Sequence, residues 1–255
     1  MKLPANTFLD AIRAKKPQIG LWVSLGSGFS VEAVAGAGFD WLLIDMEHAP
    51  TELGAVIAQM QAVAAYDSSV IVRPPWNDPV MVKRLLDGGA QNVLFPMVQS
   101  VAEAELAAAS MAYPPSGVRG VSGLTRATRF GRVEGYFAQA NDALGTIVQV
   151  ETQAALAQVA QFGAVDGVDG VFFGPADIGA DMGILGNPND PAIWDAIRPA
   201  AKVLMDAGVP VGTLVFDADF AKRLLGEGFT FVACGSDLQI LARGVDALRA
   251  RMGSV

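Results

Sequence analysis

The stretch 70-VIVRPPWNDPVMVKRLLDGGAQNVLFP-96 holds a complete strand–helix–strand unit and decides how the rest of the chain reads. It opens on a short apolar run rich in β-branched residues, as a buried strand does. Asp78-Pro79 then supplies a cap followed by proline at the first helical position. VMVKRLLD carries the helix, Gly88 marks its stop, and VLFP begins a second apolar run. Neither run alternates apolar with polar, which is the mark of parallel strands covered on both faces.

The same unit recurs in both directions. Strands are expected at 20–24, 41–45, 70–73, 93–96, 146–151, 170–174, 209–214 and 230–233, eight in all. Helical stretches separate them. Ser100-Val-Ala-Glu103 is a capping box, Asp190-Pro191 repeats the cap–proline signal, and Thr51 and Asp217 are further caps. Gly208 and Gly226 stand where helices should stop. Eight units of roughly 30 residues suit βαβ repeats and close naturally into an α/β protein of the (β/α)8, or TIM-barrel, class, with residues 1–255 as a single domain. Two longer connections, 114–145 and 181–191, are glycine-rich and are expected to cover a ligand. The competing fold is a doubly wound sheet. Gly26-Ser-Gly28 with Glu47 about 20 residues on imitates a dinucleotide fingerprint, but Val31 occupies the third glycine position, so the glycines read as a tight turn.

Composition narrows the function. The 255 residues are 52% hydrophobic and 17% charged, with a mean hydropathy of +0.37. That excludes a disordered chain. Eighteen basic against 26 acidic residues leave a net charge of −8, which repels phosphate backbones and argues against nucleic acid as a partner. The apolar runs are far too short to cross a bilayer, and the N-terminus lacks the apolar run of a signal peptide. One cysteine, Cys234, gives no internal disulfide and fits a reducing compartment. A cytoplasmic protein is expected.

In a barrel, chemistry sits at the C-terminal ends of the strands. Those ends read Asp45-Met-Glu47-His48, Arg73-Pro-Pro-Trp, Gln149-Val-Glu151, Gly174-Pro-Ala-Asp177, Gly212-Thr-Leu-Val and Cys234-Gly-Ser. Carboxylates, the one histidine and one arginine converge on a single rim. Glu151 and Asp177 follow adjacent strands, and two oxygen ligands with room for water and substrate suit Mg2+ or Mn2+. The competing reading is that each acid caps the next helix. That is weak for glutamate and respectable for aspartate. Asp45 stands three residues before His48, where a carboxylate–imidazole contact would orient the ring. Arg73 is either an ion-pair partner of Glu47 or a cation for an enolate oxygen, and the two roles are compatible.

Absences inform too. None of the six lysines falls within an expected barrel strand, so Schiff-base chemistry is disfavoured. Cys234 reads as a core residue rather than a nucleophile. A phosphate site at Gly212-Thr213 and Gly235-Ser236 is the rival that would make this a sugar-phosphate isomerase or epimerase. Two other rivals are a carbon–carbon lyase acting on a CoA thioester, which would need a basic groove, and a non-catalytic metal-binding protein.

The blocks GLWVSLGS, FDWLLIDMEHAP, IVRPPWND, LLDGGAQNVLFPMVQS, GVRGVS, RATRFG, VQVET and FFGPADIG, in that order, resemble the HpcH/HpaI family of metal-dependent pyruvate aldolases. The resemblance runs from about Gly20 to about Gly244. It implies a barrel of the pyruvate/phosphoenolpyruvate type, assembled as a homo-oligomer, usually a hexamer. It implies reversible cleavage of a 4-hydroxy-2-oxo acid to pyruvate and an aldehyde, as in aromatic-compound catabolism. A divalent metal ion, Mg2+ or Mn2+ with Co2+ possible, would be held by Glu151 and Asp177. The main-chain N–H groups of Ala176 and Asp177 would hold the substrate carboxylate, with Gln149 beside them. Arg73 would contact the keto oxygen, His48 with Asp45 would run the proton transfers, and Trp22 and Leu214 would line the pocket. Asp87 matches a position that reaches the site from a neighbouring subunit.

Overall fold

Eight parallel strands close into one barrel, each paired with the next in sequence and the last with the first. They are β1 (Gln18–Val23), β2 (Trp41–Asp45), β3 (Ser69–Arg73), β4 (Asn92–Phe95), β5 (Gly145–Val150), β6 (Gly170–Phe173), β7 (Val211–Leu214) and β8 (Phe231–Ser236). The structure, a computed structural model, describes residues 1–253. Before the barrel comes α1 (Thr7–Arg13). The connections carry α2 (Gly28–Ala35), α3 (Leu53–Val63), α4 (Pro79–Asp87), α5 (Val101–Met111), α6 (Tyr136–Gln139), α7 (Gln153–Leu156), α8 (Val159–Phe162), α9 (Pro175–Asp181), α10 (Pro191–Asp206) and α11 (Ala218–Gly226), with α12 (Asp237–Met252) at the end.

The barrel class read from the sequence is therefore the fold, and the doubly wound alternative falls away. Every expected strand is present, with ends displaced by a few residues. The largest extension is β8, which runs on through Cys234-Gly235. Gly235 has φ +143, and the register against β1 slips between Gly20 and Trp22.

Alternation along the strands sorts the core into two layers. Inside the barrel pack Trp41, Leu43, Ile71, Leu94, Ile147, Phe172 and Phe231. Their neighbours Ile44, Val72, Val93, Val148, Val171 and Phe173 face outward to the helices. Gly20 is dictated by this packing: a Cβ there would lie 2.1 Å from the Trp41 indole. Below the strands, α1 plugs the N-terminal end with Phe8, Leu9 and Ile12, and the Phe8 ring stands edge-on to Phe231 at 5.5 Å.

Most helix signals act as read. Asp78, Asp190 and Asp217 accept N–H bonds at their caps. Ser100 accepts from Glu103 N–H, but the Glu103 carboxylate accepts from Gln99 N–H, one residue earlier than a capping box requires. Thr51 is not a cap. Glu52 holds that position without a side-chain bond, and Thr51 Oγ1 is buried without a partner. Gly226 ends α11 as its last helical residue; the left-handed turn falls to Gly228, φ +105.

One expectation about the loops is reversed. The connection 114–135 lies between α5 and β5, hence at the N-terminal end of the barrel, away from the rim. Its Ala127 N–H bonds the Asp87 carbonyl, Arg126 bonds the Gly88 carbonyl, and Arg132 receives the N-terminal ammonium. It cannot cover a ligand at this chain's own rim. The shorter connection 182–190 does lie on the rim side, between α9 and α10. Finally, α12 buries only Asp237 and exposes Leu238, Ile240, Leu241, Val245 and Leu248.

Candidate active site

The alternation that fills the barrel also delivers its chemistry. On β2 the inward series is Trp41, Leu43, Asp45; on β3 it is Ile71, Arg73; on β5 it is Ile147, Gln149 and then Glu151 just beyond the strand end. Asp45 and Arg73 are register partners. On these three strands the inward apolar residue in the barrel's middle is thus topped, two residues on, by a polar one.

Arg73 is the hub. Its Nε and Nη2 donate to the two oxygens of Asp45 at 2.9 and 2.8 Å. Its Nη1 lies 2.8 Å from Glu47 Oε2, off the hydrogen-bond direction, so that contact is an ion pair. The guanidinium carbon lies 4.9 Å from the Trp22 ring centre. Burial alone would raise the Asp45 carboxyl. The Arg73 bonds and charge, helped by Glu47 N–H and Trp22 Nε1–H, outweigh it and hold the group below the ordinary aspartate range. Glu47 goes the other way: burial lifts it, and the charges of Arg73 and His48 only partly oppose.

Glu151 is 2% exposed and has no ion-pair partner among the described residues. Its carboxylate accepts from Met97 N–H at 2.6 Å and from Gln149 Nε2 at 2.8 Å. Met97 turns its N–H inward from a left-handed conformation, φ +51. Burial pushes the Glu151 carboxyl up to about 8, and the nearby charges of Asp177 and Glu47 add to the rise. Gly174 is the floor under this pair: a Cβ there would come within 2.8 Å of Glu151 Cγ and 3.2 Å of Gln149 Nε2. Gln149 Oε1 is buried without a donor.

Neither acid serves as a helix cap. Thr152 caps α7, and Gly174 takes the cap position of α9, leaving Asp177 in the first turn. The first intrahelical bond there is from Ile178 N–H to Gly174 O. Pro175 has no N–H, so the N–H groups of Ala176 and Asp177 are the two that the helix leaves for an anion. A buried, unpaired carboxylate pushed to about 8 beside a second acid fits a divalent cation. The all-oxygen donor set suits Mg2+ or Mn2+ better than zinc. Among the described residues no three of His, Cys, Asp and Glu cluster to enclose a metal by themselves, so substrate and water would complete the shell.

Asp45, Arg73, Gln149, Glu151, Trp22 and Leu214 thus meet inside or just above the barrel, with Ala176 and Asp177 opening α9 at the same rim. One expectation is corrected. Asp45 does not orient the His48 ring: both its oxygens are taken by Arg73, Trp22 Nε1–H and the main-chain N–H groups of Glu47 and His48. The ring instead stands 4.0 Å from Glu47 Oε2 and is 68% exposed. Asp87 ends α4 at the opposite end of the barrel, 3.2 Å from Arg119 Nη2, and so does not join this chain's own rim. The rival phosphate site is also disfavoured. Asp237, buried directly after Gly235-Ser236, accepts the N–H groups of Ser24, Leu25 and Leu238 and sets a carboxylate next to the residues that would have to hold a phosphate. Sequence reasoning missed Gly174 and Met97. The alternation that points Glu151 inward implies a floor under it, but only Gly174's neighbours reveal how close that floor lies.

Comparisons with known proteins point to one family. The profile of the HpcH/HpaI aldolase/citrate lyase family matches residues 18–244. A 4-hydroxy-2-oxo-heptane-1,7-dioate aldolase of Salmonella arizonae is 52% identical over 250 residues, covering 98% of this chain and 95% of its own. Among solved structures, an HpcH/HpaI aldolase/citrate lyase family protein from Burkholderia cenocepacia J2315 superposes with a TM-score of 0.94 at 36% identity, covering 98% of this chain and all of its own. The citrate lyase β subunit of M. tuberculosis, solved with oxaloacetate and magnesium, shares the fold alone: TM-score 0.57 at 17% identity, over 90% and 95% of the two chains.

Proposed function

The chain belongs to the HpcH/HpaI aldolase/citrate lyase family, and from that premise we propose how its barrel mouth works. The enzyme is an aldolase, a carbon–carbon lyase that cleaves a 4-hydroxy-2-oxo acid reversibly to pyruvate and an aldehyde. The observation that carries the site assignment is the buried Glu151 carboxylate, without an ion pair, on the same rim as the braced Arg73.

Cleavage leaves negative charge on C3 and the 2-oxo oxygen of the pyruvate half. The N–H groups of Ala176 and Asp177 hold the substrate carboxylate. Arg73, fixed on one edge by Asp45 and on its face by Trp22, keeps N–H groups on Nη1 and Nη2 for the 2-oxo oxygen, where the enolate charge develops. His48, exposed at the mouth, takes the proton of the C4 hydroxyl; such general-base help contributes about 10²–10⁴-fold. Trp22 and Leu214 form the apolar wall, and Gln149 holds Glu151 in place. When bound, a divalent cation held by Glu151 and Asp177 supplies Lewis-acid charge at the 2-oxo oxygen. Mg2+ and Mn2+ suit the oxygen donors, and Co2+ is compatible.

The working form is a cytoplasmic homo-oligomer, with a hexamer as the expected state. The exposed apolar side of α12 supports an assembled form. Asp87, remote from its own rim, would then serve a neighbour's mouth.

Deuterium exchange at pyruvate C3, followed by proton NMR, tests the reading without a guess at the aldehyde. Exchange should require added Mg2+ or Mn2+ and vanish in Glu151→Ala. Exchange that persists in metal-free buffer, or in that variant, removes the metal assignment.

A further inference from the structure

Strand β4 ends irregularly, and the irregularity points at Glu151. The ladder pairs Phe95 with Val148. A regular continuation would carry the Val98 N–H to the Val150 carbonyl, but it bonds the Gln149 carbonyl at 3.1 Å instead. One extra residue has therefore entered between Phe95 and Val98, which makes a β-bulge. Pro96 stands in it and has no N–H to lose from the ladder. Met97 follows with φ +51, a conformation that crowds Cβ against the backbone and suits glycine rather than a long side chain. Among the described residues only Lys15, Arg129 and Phe130 share it without being glycine, and all three lie in connections rather than at the rim end of a barrel strand.

A strained residue of this kind persists only where its surroundings fix it. Here two successive N–H groups turn toward β5 and both are committed. Val98 donates to Gln149 O, and Met97 donates to Glu151 Oε2 at 2.6 Å. In regular extended backbone successive N–H groups point to opposite edges; a left-handed residue makes them converge on an anion. Gln149 Nε2 holds the other oxygen, Oε1, at 2.8 Å. Each Glu151 oxygen thus takes one bond from the wall and keeps a lone pair for a cation. The Met97 side chain makes none of these bonds, so it is the direction of the backbone that the site uses.

We propose that the Pro96-Met97 bulge is the positioning element of Glu151: the left-handed backbone of Met97 aims its N–H at Oε2 and fixes the carboxylate in the direction a divalent cation needs. This role rests on the reading of Glu151 as a metal ligand.

Mn2+ affinity, read from the free-ion EPR signal, tests the role without recourse to turnover. Met97→Val should weaken binding roughly 10–100-fold, because a β-branched residue resists a positive φ. Met97→Gly removes the side chain but adopts the conformation freely, and should restore affinity to within about threefold of wild type. Replacing Met97 by its α-hydroxy analogue keeps the side chain and deletes only the N–H. It should weaken binding about tenfold or more, and it decides the matter if the valine variant does not fold. Equal losses in the glycine and valine variants would assign the effect to the side chain and overturn the proposal, as would wild-type affinity in the α-hydroxy protein. Wild-type protein that binds no Mn2+, or Glu151→Gln that binds it as well as wild type, would instead strike the metal assignment itself.

Discussion

Strip the divalent ion from this protein and the charge on Glu151 becomes a liability that pH should expose. Buried in the folded chain, the carboxyl is pushed from 4.5 to about 8; in the unfolded chain it returns to its ordinary value. Between those two values the folded form holds a proton that the unfolded form has released. Stability therefore falls as pH rises through the window. At about 1.4 kcal/mol per pH unit, the full gap is worth on the order of 5 kcal/mol. For a chain of this size that is on the order of 10–20 °C in Tm. Asp45, held low, is ionised in both states across this range and adds nothing. Thermal melts of chelated protein from pH 5 to 9 should slope downward. Glu151→Gln should flatten most of the slope, leaving a smaller one of the same sign from Glu47, which burial also raises. Saturating Mg2+ should restore the wild-type melting temperature most at high pH, by binding the folded form alone. A flat profile in the chelated wild type, or an equal slope in Glu151→Gln, would refute the claim that Glu151 is a buried, uncompensated acid.

Three further outcomes follow from the geometry. Gly174→Ala places a methyl within 2.8 Å of Glu151 Cγ and should weaken Mn2+ binding, read by the free-ion EPR signal, by roughly 10–100-fold. Arg73→Lys loses the two-edged grip on Asp45 and should cut turnover about 10²-fold or more, with little change in the KM for pyruvate in the synthetic direction. Gly20→Ala drives a Cβ to 2.1 Å from the buried Trp41 indole and should lower stability by about 1–3 kcal/mol or prevent folding, seen in urea titrations.

Much of this molecule was legible in the order of its residues because two simple rules dominate it. Parallel strands covered on both faces must be apolar almost throughout, so the strands announce themselves. Period-two alternation then carries the eye from Ile71 to Arg73 and from Ile147 to Gln149 and Glu151. What escaped was whatever depends on directions between segments. Asp45 and His48 are three positions apart, which suggests a pair, but Asp45 is a register partner of Arg73, and the guanidinium claims its oxygens. The stretch 114–135 has a lid's composition, yet its place after a helix rather than after a strand consigns it to the far end. That distinction was available from the connection order alone. The Gly174 floor was not, because nothing local marks which glycine an acid will rest upon.

The closure of the barrel also sets a timetable. Strand β1 is made well before its neighbour β8, and Ser24 N–H meets the Asp237 carboxylate across 213 positions. The plug α1 needs Phe231 to complete its seat. At about 5–20 residues per second, a ribosome takes roughly 10–50 s to supply that partner. Through this interval Phe8, Leu9, Ile12 and one edge of β1 have no native home. A nascent chain of this enzyme should therefore need protection from aggregation until β8 emerges, and a frameshift ahead of β8 should yield aggregate rather than a smaller folded product.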